Sequence, residues 1–158
     1  MKRYFLCIAV VFSMFILFAG TFSPVRAASI EPFTIASLEK LLGESKGKVV
    51  MINFFASWCP PCLKEVPMLI NIRKTFGEDK LIVIGVSLDH DNKALQAYMA
   101  NTPFNYPVKL AAPELAQAAG VSGIPHMLIF DRKGDLVVSH MGLVGEDELR
   151  KFLQSEME

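Results

Sequence analysis

Two cysteines separated by two prolines, in Trp58-Cys59-Pro60-Pro61-Cys62, are the residues of this chain best equipped for chemistry. Cysteines three apart at the start of a helix lie on adjacent turns, near enough to close a small disulfide ring. The first stands where the positive end of the helix dipole stabilises a thiolate, which makes Cys59 the nucleophile. Cys62 falls inside the helix, less exposed, and suits the resolving role. A Cys-x-x-Cys between a strand and a helix of an α/β pattern points to thiol–disulfide exchange. Other uses of the pair fit less well. A structural zinc site needs about four ligands; the chain has no second cysteine pair, and His90, His126 and His140 lack finger spacing. Heme attachment through Cys-x-x-Cys-His fails because Leu63 occupies the fifth position. A purely structural disulfide closing so short a loop restricts the unfolded chain little. Copper delivery calls for Met or His beside the pair, for which His126 is the one candidate. A peroxidase needs a peroxide-reactive cysteine set by a Pro/Thr loop and an arginine, an arrangement the sequence does not offer.

The elements that would hold the pair are legible from hydrophobic periodicity. Leu38, Leu41 and Leu42 predict a short helix capped by Ser37 and ending near Gly43 or Gly47. The apolar run 49–55 predicts a strand covered on both faces. A helix starts at Pro60, suited to the first turn, and runs to about Phe76 with a kink expected at Pro67. A second buried strand (81–87), a helix (92–100), a short strand (107–110) and a short helix (113–119) stopped by Gly120 follow. A hairpin, 126–130 with 136–140, turns at Gly134, and a closing helix (146–155) carries its acids in the first turn. Alternating strands and helices ending in a hairpin imply an α/β architecture around a mixed sheet flanked by helices.

The chain has 158 residues, 52% of them hydrophobic and 20% charged, enough for one compact domain and unlike a disordered chain. Lys+Arg and Asp+Glu both total 16, so no basic excess points to a nucleic-acid partner. Residues 1–27 read as a leader: Lys2 and Arg3, an apolar run of about 19 residues from Tyr4 to Phe22, then Val25-Arg26-Ala27. The run reaches the length of one membrane span, so an N-terminal anchor competes with a signal peptide cleaved after Ala27. Both deliver residues 28–158 as one domain outside the cytoplasm. Without the leader, Lys+Arg falls from 16 to 13 against 16 acids, and Cys7 leaves with it.

The ordered set Asn53-Phe54-Phe55-Ala56-Ser57-Trp58-Cys59-Pro60-Pro61-Cys62, then Glu65 and Pro67, then Gly120-Val121-Ser122-Gly123-Ile124-Pro125, then Leu128-Ile129-Phe130-Asp131 leading to Gly134, resembles the thioredoxin superfamily, specifically its exported TlpA/ResA-type branch. The match spans nearly all of residues 28–158. It implies a thioredoxin fold with an inserted helix and strand, placed within residues 89–112. It implies that Pro125 is a cis proline facing the cysteines and that the Ile124 backbone pairs with an extended substrate segment. Trp58 would cover the pair. Asn53 replaces the buried aspartate usual in cytoplasmic thioredoxins and cannot titrate. Glu65, by the same resemblance, lies under the cysteines and manages the proton of Cys62, its pKa raised by burial; an exposed helix glutamate is the competing reading. His126 stands where the branch often has threonine: a protonated imidazole there would favour a thiolate at Cys59, and a structural histidine is the alternative. Pro60 and Pro61 bring no N–H to the thiolate, which argues for a reductant over an oxidant or isomerase. The implied substrate is a disulfide-containing protein, apocytochrome c being an example in that branch. The implied electron donor is a membrane thiol-transfer protein. No cofactor is expected beyond the dithiol, and no metal.

Overall fold

A computed structural model describes residues 32–158; the leader and its signal-or-anchor alternatives lie outside the described residues. The chain runs β1 (Pro32–Phe33), α1 (Ile35–Glu44), β2 (Val49–Phe55), α2 (Pro60–Thr75), β3 (Leu81–Ser87), α3 (Asn92–Ala100), β4 (Val108–Ala111), α4 (Leu115–Ala118), β5 (His126–Phe130), β6 (Leu136–Met141) and α5 (Glu146–Met157). The six strands form one sheet in the order β1-β4-β3-β2-β5-β6. The pairs β1–β4, β4–β3 and β3–β2 are parallel, and β2–β5 and β5–β6 are antiparallel. The expected mixed sheet with helices on both sides is present, and α3 with β4 supplies the insertion within 89–112.

Strand β2 explains the placement of the site. All seven of its residues are buried, because successive side chains enter two cores. Val49, Met51 and Phe55 join a core with Cys62, Val66, Leu69 and Ile72 of α2 and Leu149 and Leu153 of α5. Val50, Ile52 and Phe54 join the other with Leu128, Phe130 and α1 residues Leu38, Leu41 and Leu42. Gripped on both faces, β2 presents a rigid C-terminal end, and the cysteine motif follows it directly. Functional loops commonly sit at such ends of parallel strands.

Several boundaries differ from the sequence reading. The first helix is capped by Thr34, whose Oγ1 accepts from the Ser37 N–H at 3.1 Å, so Ser37 lies within the helix it was expected to start. Two residues of β1 precede it, too few to show a strand period, and their pairing with β4 fixes where the cap must stand. β4 begins at Val108 and ends at Ala111, one residue later than expected at each end, since Pro107 has no N–H to give a ladder. The helix expected over 113–119 contracts to a single turn. α2 is helical through Pro67 to Thr75. Thr34→Ala should cost about 1 kcal/mol, read as a lowered midpoint in urea unfolding, whereas Ser37→Ala should leave the midpoint nearly unchanged.

Candidate functional site

The end of β2 leads into a tight turn, closed by Cys59 N–H donating to Ala56 C=O at 3.1 Å. Ser57 and Trp58 occupy the middle of this turn, and Cys59 emerges as the N-cap of α2, its backbone still extended. Pro60 and Pro61 fill the first helical positions, where a missing N–H costs the helix nothing. Cys59 and Cys62 are joined as a disulfide, with an S–S distance of 2.02 Å and Cα atoms 5.3 Å apart. The Cys62 N–H donates to Cys59 Sγ at 3.3 Å. Cys59 is 4% exposed and Cys62 fully buried, so attack from outside must come through Cys59. Trp58, beside it, is 58% exposed and projects into solvent at the same end of the molecule.

The 120s loop closes on this turn from the other side. The Ile124–Pro125 peptide bond is cis, and Ile124 O lies 3.9 Å from Cys59 Sγ. The Pro125 carbonyl accepts from Gly142 N–H at 2.8 Å, which ties the loop to the strand behind it. Cys59 and Ile124, 65 positions apart in sequence, thus share one surface.

Beneath the pair, Glu65 is 3% exposed, which excludes an exposed helix glutamate. It sits one helical turn beyond Cys62, and Asn53 of β2 reaches it from the sheet: Asn53 Nδ2 donates to Glu65 Oε2 at 2.5 Å. Glu65 Oε1 and Asn53 Oδ1 are buried without partners among the described residues. Burial pushes the Glu65 carboxyl above the ordinary range, while the Asn53 bond and the positive charge of His140 pull it part of the way back. A buried carboxyl with one free oxygen is a group able to take up and return a proton.

His126, first residue of β5, is buried, and its Nε2 lies 2.9 Å from Ser139 Oγ. Its Nδ1 has no partner among the described residues. Burial first, then the charge of His140, holds it below the usual histidine value, which favours the uncharged ring near neutrality. It therefore brings no fixed positive charge to the site.

One cluster was not foreseen. Asp89, buried just past β3, accepts from Ser57 N–H at 3.0 Å and Ser57 Oγ at 2.7 Å through its two carboxylate oxygens, and from Ser87 Oγ at 2.5 Å. Its own N–H donates to Ser87 Oγ at 3.0 Å. A lone aspartate after a strand carries no sequence signal of this. The register that sets Phe55 opposite Ser87 is what brings the two strand ends together. Among the described residues, no three His, Cys, Asp or Glu side chains gather into a metal-binding group.

A thioredoxin-like family model matches residues 47–136, from the start of β2 to the hairpin. The chain belongs to the thioredoxin-like family. Within it, the chain is similar to the thiol-disulfide oxidoreductase ResA of Bacillus cereus, 26% identical over 148 residues that cover 89% of this chain and 86% of that protein. Among solved structures, it resembles a thiol:disulfide interchange protein of Chlorobium tepidum, 28% identical with a TM-score of 0.67, covering 73% of this chain and 84% of that one. It also resembles the exposed lipoprotein thioredoxin of Streptococcus pneumoniae, 26% identical with a TM-score of 0.64, covering 72% and 89%. The TlpA/ResA type of thioredoxin-like thiol–disulfide oxidoreductase is thus the one to which this chain corresponds, and Cys59–Cys62 is its exchangeable pair.

Proposed function

We propose that this thioredoxin-like protein works outside the cytoplasm as a disulfide reductant, drawing electrons from a membrane thiol-transfer protein and passing them to protein disulfides, apocytochrome c among the candidate substrates. The observation that carries the direction is the donor set at Cys59 Sγ. One backbone N–H, that of Cys62, addresses the sulfur, and the two intervening residues are prolines with none to add. A thiolate with few donors is weakly stabilised, so the dithiol gives up its electrons readily. Export is supported by the layout of residues 1–27 and by the exposed location named for the pneumococcal relative.

In the cycle, the Cys59 thiolate attacks one sulfur of a substrate disulfide, and the other substrate sulfur leaves as a thiolate and takes a proton. Cys62 then loses its proton to Glu65, whose free Oε1 accepts it, and attacks Cys59 Sγ. The substrate leaves with both sulfurs reduced, and the protein keeps the two-electron loss as the Cys59–Cys62 disulfide. A donor dithiol reverses these steps. The exposed Trp58 and the Ile124 backbone flank Cys59 and would hold an extended substrate segment during attack. No step requires a cofactor or metal.

Equilibration with a glutathione redox buffer tests the direction. The expected potential lies near that of thioredoxin, about −270 mV, and a value near the DsbA figure of about −120 mV would reverse the assignment.

A further inference from the structure

We infer that Asp89 is a positioning residue for the exchange reaction: its carboxylate anchors the Ser57 side of the cysteine turn to the end of β3 and so pre-arranges Cys59 for closing the ring with Cys62. Three observations carry this. Ser57 offers Asp89 both its N–H and its hydroxyl, at 3.0 and 2.7 Å, a two-point attachment that fixes the orientation of a residue, where one bond would leave it free to swivel. Asp89 is itself held, by the Ser87 hydroxyl and through its own N–H, and Leu88 N–H donates to Phe55 C=O at 2.7 Å alongside. The anchored residue is also the first central residue of the turn whose closing bond, Cys59 N–H to Ala56 C=O, sets the Cys59 backbone. The Ser57 N–H, the Ser57 hydroxyl and the Ser87 hydroxyl all donate to the carboxylate oxygens, an arrangement that an amide cannot reproduce because one of its two heavy atoms only donates.

The consequence lies in the redox equilibrium. The disulfide and the anchor both demand the same turn geometry, so each makes the other easier to form. Without the anchor, the reduced loop gains conformational freedom that ring closure must then remove, and the disulfide becomes less favourable. Removing a buried negative charge close to the motif acts in the same direction, because it eases the thiolate at Cys59. A residue that merely supports the fold would weaken the oxidised and reduced forms alike and leave the equilibrium where it was.

The test is the equilibrium constant of the purified full-length protein with glutathione, measured for Asp89→Asn, Ser57→Ala and the double variant. Asp89→Asn should lower the constant for disulfide formation about tenfold, which raises the potential by about 30 mV. Ser57→Ala keeps the N–H bond, so about a threefold change is expected. The double variant should differ little from Asp89→Asn, since both changes break one network. If Asp89→Asn fails to fold, Ser57→Ala decides alone. Constants within 1.5-fold of wild type for the variants that fold, or a shift toward a more reducing potential, would overturn the inference. So would a double variant whose effects simply add.

Discussion

Cys62→Ala should turn the protein into a trap, with steady-state reduction of protein disulfides falling by about three orders of magnitude while the first attack proceeds at nearly the normal rate. The asymmetry follows from burial. Cys59 has the exposed edge and the N-cap position, and Cys62 has no exposure at all. Removing Cys62 leaves the attacking thiol in place but deletes the group that releases the substrate, and units whose members act in sequence lose nearly all turnover with one member. A covalent one-to-one complex should accumulate on a non-reducing gel and dissolve in excess dithiol. Cys59→Ala should form no such complex. A Cys62→Ala protein that still turns over substrate at the wild-type rate would remove Cys62 from the mechanism. The trapped proteins would also name the physiological substrates directly.

Glu65→Gln should produce the second-largest effect, about a hundredfold loss in the resolving step, the range typical of a positioned general base. In the wild type, the rate should climb with pH as the Glu65 carboxyl ionises and becomes able to accept the Cys62 proton. In the variant this limb should vanish, leaving only the limb that belongs to the Cys59 thiol. A pH–rate profile of single-turnover release separates the two, and an unaltered profile would show that Glu65 holds no proton that matters. The same substitution makes a stability prediction of definite sign. Burial raises the Glu65 carboxyl above its ordinary value of 4.5, so the native state keeps a proton that the unfolded chain has lost. That contribution is fully present below about pH 4.5 and disappears as pH rises through the native value. Glutamine cannot ionise. Relative to wild type, the variant should therefore gain stability from acid toward neutral pH, measured by urea unfolding at both ends.

Much of the scaffold is visible in the chain because its strongest signals are local. Continuous apolar runs marked β2 and β3, and Pro60 marked the start of α2, since a residue without N–H fits the first turn and few other places. Ends were less legible. Ser37 and Thr34 are equally good caps by type, and only the pairing of Pro32 and Phe33 with β4 shows which one stands at the boundary. The single turn of α4 and the two residues of β1 are too short for any period to declare itself.

The site divides along the same line. The reacting pair, its helix-start setting and the poverty of donors around Cys59 can be read from the amino acids alone, because these depend on residues adjacent in the chain. Glu65, one turn along the same helix, is legible there as well. That this carboxyl is buried against Asn53, that the Ile124 carbonyl closes on Cys59 and that Asp89 holds Ser57 emerge from the folded chain. Those contacts join β2 to its neighbours on the sheet and to the helix above it. Hydrophobic pattern decides which face of a strand is buried, but strand order and register decide which side chains meet across it, and both are settled by packing the whole chain at once.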